Sequence, residues 1–205
     1  MDISFFLRGL VLGFSIAAPV GPIGVLCIRR TLAEGRASGL VSGLGAATAD
    51  AIYGCIAGFG LTLISNFLIR QQVWLRLIGG GFLCFLGIRT FLSKPAENVA
   101  SAKGNGLVDS YVSTFFLTIT NPMTILSFAA IFAGLGVGSA SGSYVSAAVL
   151  VLGVFIGSAL WWFILSSGVS IFRTRLNPDR LRWVNRISGI IITGFGLIAL
   201  LSLRG

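Results

Sequence analysis

Long apolar runs alternate with short polar joints along the whole chain. Six runs can be drawn, over residues 4–28, 39–64, 72–93, 110–136, 144–171 and 184–203. Each reaches the roughly 18 apolar residues that a helix needs to cross a hydrocarbon core. The pattern therefore predicts an all-α integral membrane protein with six transmembrane helices. The joints carry Arg29-Arg30, Arg70-Gln71-Gln72, the polar stretch from Lys94 to Asp109, the Gly/Ser run 136–143 and the basic stretch from Arg173 to Trp183. The fourth joint is short and uncharged, which predicts a tight hairpin. One transmembrane domain over residues 1–205, without soluble appendages, is expected. The first run starts near Ile3 with neither a basic lead nor a small-residue cleavage site, so it reads as a span and not as a cleaved leader.

Composition agrees with the pattern. The chain is 55% hydrophobic and 10% charged, and a soluble domain of 205 residues could not hide that much apolar surface. Its 28 glycines suit helices that associate in lipid through small residues. Histidine is absent, and Cys27, Cys55 and Cys84 stand singly in apolar segments, where they read as packing residues. No metal site and no cofactor is expected. The net charge of +9 lies mostly at the ends of apolar runs, where positive charge sets membrane orientation, and this argues against a nucleic-acid partner. With the N-terminus outside, 11 of the 15 Lys and Arg face inward, and only Arg8, Arg70, Arg76 and Arg204 face outward. Both termini are thus expected outside the cytoplasm, in a multi-pass protein of the plasma (inner) membrane.

Six spans divide into two halves of three, and an odd number per half forces the halves to insert in opposite senses. The first span of each half carries a proline near its middle, in Pro19-Val20-Gly21-Pro22 and in Asn121-Pro122. Interrupted apolar segments at corresponding places in two halves point to an inverted-repeat transporter with its site at the midplane. Each proline removes a backbone donor and crowds the preceding turn, while Gly21 can take conformations closed to other residues. Carbonyls near Phe14–Ala18 are expected to lose helical partners, and in lipid such backbone is tolerated only against protein or a wet cavity. Free carbonyls suit an ammonium group, and a half-helix N-terminus suits a carboxylate. Pro19, Gly21, Pro22, Asn121 and Pro122 are therefore candidate path or gate residues. The bland alternative is a pair of kinks relieved by neighbouring helices. Thr118, Thr120 and Thr124 flank the second break, and the Asn121 amide can satisfy a freed carbonyl or meet a polar ligand.

Asp50 is the single acid in the middle of an apolar run; Asp2, Glu34, Glu97, Asp109 and Asp179 fall near run ends or in joints. A carboxylate at mid-bilayer costs about 2.5–3.5 kcal/mol by insertion scales, so intramembrane acids are functional candidates. At 100° per residue, Gly39, Gly43, Ala46, Gly54, Ala57 and Leu61 share the face of Asp50, while Val41, Thr48, Ile52, Cys55 and Phe59 lie opposite. The acid thus sits on a small-residue stripe facing other helices. Lys and Arg all lie near run ends, so no cation is expected at its depth. Proton coupling and a hydrogen-bonded structural role both remain open for it. Trp161 and Trp162 lie near the middle of the fifth run, where one is expected to pack in the bundle and either can serve as a cavity wall. The basic stretch from Arg173 to Arg186 reads as an orientation anchor that touches lipid headgroups.

Five segments taken in order resemble the LysE/RhtB family of amino-acid exporters. They are 19-PVGP-22, 29-RRTLAEGRASGLVSGLGAATAD-50, 76-RLIGGGFLCFLGIR-89, 114-TFFLTITNP-122 and 185-NRISGIIITGFGL-197. The resemblance implies six spans, an inverted repeat and export of amino acids or related metabolites by the proton-motive force. Two departures touch presumed site positions. Met123 stands where many members carry a basic residue, and Pro-Val-Gly-Pro replaces the compact Pro-Gly-Pro form. The expected activity is therefore export of small zwitterionic metabolites by proton antiport, with Asp50 as the ion-coupling group and protons, lipid and an amino acid-like substrate as partners. The sequence leaves open whether copies associate into a homo-oligomer. An exporter of metal cations or other small ions is the second reading, although it would want more ligands than one Asp and single thiols supply. An enzyme ranks third, since no acid and base stand at one depth.

Overall fold

The computed structural model describes residues 3–19, 21–58, 70–92, 105–121, 124–125, 127–128, 144–173 and 178–202. Seven helices are described: α1 (Ile3–Ala17), α2 (Pro22–Glu34), α3 (Arg36–Gly58), α4 (Gln72–Leu92), α5 (Asn105–Ile119), α6 (Tyr144–Arg173) and α7 (Pro178–Leu201). No strand occurs among the described residues. Lipid offers no hydrogen-bond partner to the backbone, so each segment must pair its own amides and carbonyls, and helices result. The helices α3, α4, α6 and α7 are each long and apolar enough to cross a membrane, and α1 with α2 pass the same test as an interrupted pair inclined at 80°. The chain is thus a multi-pass membrane protein. The sequence-predicted joint over 136–143 and most of the Lys94–Asp109 stretch lie outside the described residues.

Helix α3 is the hub. It runs antiparallel to α6, with Gly43 beneath Trp162, Asp50 against Ser158 and Gly54 beneath Val154. It runs parallel to α5, where Tyr111 donates to Thr48 Oγ1 at 2.8 Å and Ser38 meets Ser110 at 2.9 Å. Of the stripe expected from the sequence, Gly39, Gly43, Ala46, Asp50 and Gly54 are buried, and burial extends to Ser38, Ser42, Gly45, Ala49 and Tyr53, because α5 and α6 clasp two sides of the helix. The Ala57 side chain and Leu61 lie outside what is described. Large apolar side chains such as Phe85, Ile88 and Ile190 point outward, as lipid contact requires.

Two further pairs frame the hub. Helix α1 lies parallel to α6, and α4 lies antiparallel to α7. A Cβ at Gly9 or Gly13 would meet the Leu150 or Val154 carbonyl, and one at Gly157 would meet that of Leu10. Backbones can approach this closely only where both surfaces are small. Gly13→Leu is accordingly expected to force α1 from α6, at a cost of about 1–3 kcal/mol. The fraction of detergent-solubilised protein surviving a heat step measures this. Gly81→Leu is the matched control, because a Cβ at Gly81 meets nothing within 4 Å. Equal heat survival of the two variants would refute the close-approach account.

One expectation needs correction. Arg29 and Arg30 were expected in a joint, but α2 continues to Glu34 and carries both within the helix. Arg30 is buried, with 4% of its surface exposed. The helix continues because partners for its guanidinium come from α3 and α5, which a run-by-run reading does not see. Gly35 then ends α2 with φ 114°, a region that favours glycine, and its amide bonds back to the carbonyls of Arg30 and Thr31.

Candidate functional site

The interruption after α1 follows from residue chemistry. The Ala18 amide still donates to the Phe14 carbonyl at 3.0 Å, so Phe14 keeps its helical partner, contrary to the sequence expectation. Gly21 then takes an extended conformation, and Pro22 begins α2. The first helical position suits proline, whose fixed φ fits there and whose missing donor would be unpaired anyway. The Val25 amide closes the first turn on the Gly21 carbonyl at 3.0 Å. The preceding amides, of Ile23 and Gly24, have no acceptor inside the helix.

A second turn follows α5. The Asn121 amide donates to the Thr118 carbonyl at 3.1 Å, while its own carbonyl accepts the Thr124 amide at 3.1 Å and the Ile125 amide at 3.3 Å. Helical bonding is thus present again at Thr124 and Ile125. The Tyr53 hydroxyl donates to the Ile119 carbonyl, which belongs to the last turn of α5. Last-turn carbonyls lack acceptable donors within their own helix, and a side chain from α3 supplies one here.

Between these two places lies a cavity of about 630 Å³. It gathers Pro19, Gly21, Pro22, Asp50, Asn121 and Trp162, all singled out from sequence, together with Thr118, Thr120 and Thr124. Residues Ile23 and Gly24, in the first turn of α2, also line it. Trp161 is absent from the lining; it is half-buried and stands edge-on to Phe14, with centroids 5.3 Å apart. Pro122 lies outside the described residues. Arg76 and Ser202 border the cavity, and the Arg76 guanidinium donates to the Ser202 carbonyl at 3.0 Å.

Asp50 is 3% exposed and accepts a 2.7 Å hydrogen bond from the Ser158 hydroxyl on α6. Ser158 in turn accepts the Trp162 indole N–H at 3.2 Å. Among the described residues the ion pairs are Arg29–Glu34, Arg89–Asp109 and Arg182–Asp179, and Asp50 belongs to none of them. A buried carboxylate held by one hydroxyl and in no ion pair, beside a cavity, is costly to ionise unless water or a cationic ligand reaches it. Such a group can bind an ammonium or carry a proton. Sequence reasoning missed Ser158, although Val154, Ser158 and Trp162 recur every four residues and so share one face of α6. It also missed the burial of Arg30.

Comparison with known proteins adds to this geometry. The family model described as LysE type translocator matches residues 14–203. The protein YcgF of Bacillus subtilis (strain 168), whose name assigns it provisionally to amino acid efflux, is 31% identical over 197 residues, covering 94% of this chain and 93% of the relative. A threonine efflux protein of Escherichia coli (strain K12) is 25% identical over 195 residues, covering 89% and 90%. A threonine efflux protein of Salmonella typhimurium is 24% identical over 212 residues, covering 98% and 100%. No solved structure matches significantly.

Proposed function

This chain belongs to the LysE type translocator family, a family of transporters, and we propose that it exports amino acids or related small zwitterionic metabolites by proton antiport. The observation that carries the reading is the meeting of Asp50, the Gly21-Pro22 start of α2 and Asn121 on one cavity. The amides of Ile23 and Gly24 would hold the substrate carboxylate, with the positive end of the α2 dipole behind them. Asp50 would hold the ammonium and release it on taking up a proton. One charge crossing 100 mV supplies about 2.3 kcal/mol, enough to drive a solute uphill.

The transport cycle we propose uses one domain of six spans in a 3+3 inverted repeat, with the first and fourth spans broken at their prolines. Helix packing supports this arrangement. Exchanging the first, second and third spans with the fourth, fifth and sixth turns the parallel α1–α6 pair into the parallel α5–α3 pair. The antiparallel pairs α3–α6 and α4–α7 map onto themselves. All four contacts occur. Side chains also support the orientation: Arg29 reaches Asn185, Arg30 reaches Ser110 and Arg89 reaches Asp109, so one end of the bundle collects the arginines. That end would face the cytoplasm. The cavity extends toward the other end, past Arg76 and Ser202, and the described state would be outward-facing.

Proteoliposomes loaded with each common amino acid in turn test the reading. At least one is expected to show counterflow and to accumulate against its gradient when a pH gradient and membrane potential are imposed. Failure of every amino acid, with a metal cation moving instead, would favour the ion-exporter reading.

A further inference from the structure

Arg30 has no role in the cavity chemistry, yet it is as buried as Asp50. Its guanidinium lies where α2, α3 and α5 converge. One terminal nitrogen donates to Ser42 Oγ, the Ser110 carbonyl and Thr114 Oγ1, each at 2.9 Å, and the other donates to Ser113 Oγ at 2.8 Å. No carboxylate takes part. The acid one turn along, Glu34, is engaged by Arg29 at 2.7 Å and by Ser38 at 2.6 Å. Among the described residues Arg30 forms no ion pair.

Glu34 and Asp109 act on Arg30 only through space. A cation buried in no ion pair is costly, and a bridge between three helices can be made from neutral groups. The cradle has a second property. Hydroxyls accept from the guanidinium here, and Ser113 and Thr114 give their own protons to the Asp109 and Ser110 carbonyls one turn back. To meet an anion these two would have to turn from those carbonyls, whereas the Ser42 hydroxyl can turn to one directly. Arginine and hydroxyls together suit a carboxylate, which can take two parallel N–H bonds from one guanidinium.

Position adds the next step. Ser42, Ala46 and Asp50 follow one another at four-residue spacing on α3, and Thr114 and Thr118 do so on α5. Ala46, Asp50 and Thr118 line the cavity, so the Arg30 cradle begins one helical turn beyond its wall, toward the arginine-rich end. Ser42 and Asp50 are eight residues apart, about 12 Å along the helix. The two charged groups of an amino acid share one carbon, so Arg30 and Asp50 cannot hold the same molecule at once.

We propose that Arg30 and its hydroxyl cradle form a second, separate carboxylate site, which receives the substrate from the arginine-rich face before it reaches the Asp50 cavity. This rests on the transport reading above. In the described state the cradle closes that end of the path. When the path opens there, the substrate carboxylate replaces the Ser and Thr oxygens on the guanidinium. Arg30 thus selects for a carboxylate on the cytoplasmic side.

The test compares inside-out with right-side-out membrane vesicles carrying the full-length protein. The probes are the labelled amino acid with the fastest wild-type counterflow and its α-carboxamide, which keeps the ammonium and side chain but loses the anion. Arg30→Gln is expected to raise KM for the acid about tenfold or more at the cytoplasmic face, the worth of one hydrogen bond to a charged group. At the outer face KM is expected to stay within about twofold. The wild-type preference for acid over amide at the cytoplasmic face is expected to vanish. A preference that survives in Arg30→Gln, or an equal loss at both faces, overturns the proposal and leaves Arg30 a helix tie. Should Arg30→Gln not reach the membrane, Arg30→Lys decides: it keeps the charge but loses the planar fork, and an unchanged cytoplasmic KM overturns the proposal. If wild-type protein moves no amino acid, the transport reading falls and this one with it.

Discussion

Asp50→Asn is expected to abolish uphill export while leaving the fold intact. Ser158 donates to the carboxylate at 2.7 Å, and an amide oxygen can accept the same bond. The substitution preserves size and polarity and removes only the capacity to ionise. A structural Asp would tolerate it. A coupling Asp would not, because proton uptake and substrate release would no longer exchange at the site. At 100 mV the transfer of one charge corresponds to about 2.3 kcal/mol, or an accumulation ratio of about fiftyfold. Wild-type proteoliposomes are expected to approach that ratio, and Asp50→Asn is expected to stay near unity. Gradient-free exchange of labelled for unlabelled solute should persist at saturating solute, since exchange discharges no proton, but with a raised KM, since a neutral amide holds the ammonium more weakly than a carboxylate does. Heat survival in detergent should match the wild type. A variant that still concentrates solute at the native rate removes Asp50 from the coupling mechanism.

The second large effect concerns the interruption between α1 and α2. Pro19→Ala with Pro22→Ala returns two amide donors to a segment whose flanking helices are inclined at 80°. Alanine favours the helix over proline by about 3 kcal/mol at an interior position, so the helix gains a strong reason to run straight through. Packing opposes this, because α1 is held along α6 while α2 rests on α3 and α7. The variant is expected to reach the membrane at normal abundance and to lose about tenfold or more in turnover, since a stiffened span no longer adjusts around the substrate. Adding Pro122→Ala should deepen the loss. Counterflow per milligram of reconstituted protein measures it. Native turnover in the triple variant would reduce the breaks to tolerated kinks.

Much of this was open to reading along the chain. A lipid-embedded backbone must satisfy itself within each segment, so the apolar runs foretold helices without knowledge of their neighbours. The start of α2 at Pro22 follows from proline's own geometry, and the place of Asp50 on a small-residue face follows from helical periodicity. These are local rules, and local rules can be applied to a string of residues. The same rules placed Pro19, Gly21, Pro22, Asp50 and Asn121 under suspicion one by one.

Tertiary structure decided what those residues share. That they border one cavity depends on how closely α1 meets α6 and α3 meets α5 and α6, which is set by Gly9, Gly13, Gly43 and Gly45 against distant carbonyls and side chains. Ser158 gained significance only when the α3–α6 crossing set its hydroxyl on Asp50. Arg30 looked like one more orientation charge at a run's end, and only the convergence of α2, α3 and α5 supplied the hydroxyls that bury it. The sequence by itself determined the helices and the residues whose chemistry is unusual in lipid, because backbone satisfaction and helical periodicity act within a segment. The cavity, the partner of Asp50 and the burial of Arg30 were decided by tertiary structure, because each arises from the approach of groups on different helices, which for Arg30 and Asp50 are separated by 12 to 108 positions in the chain.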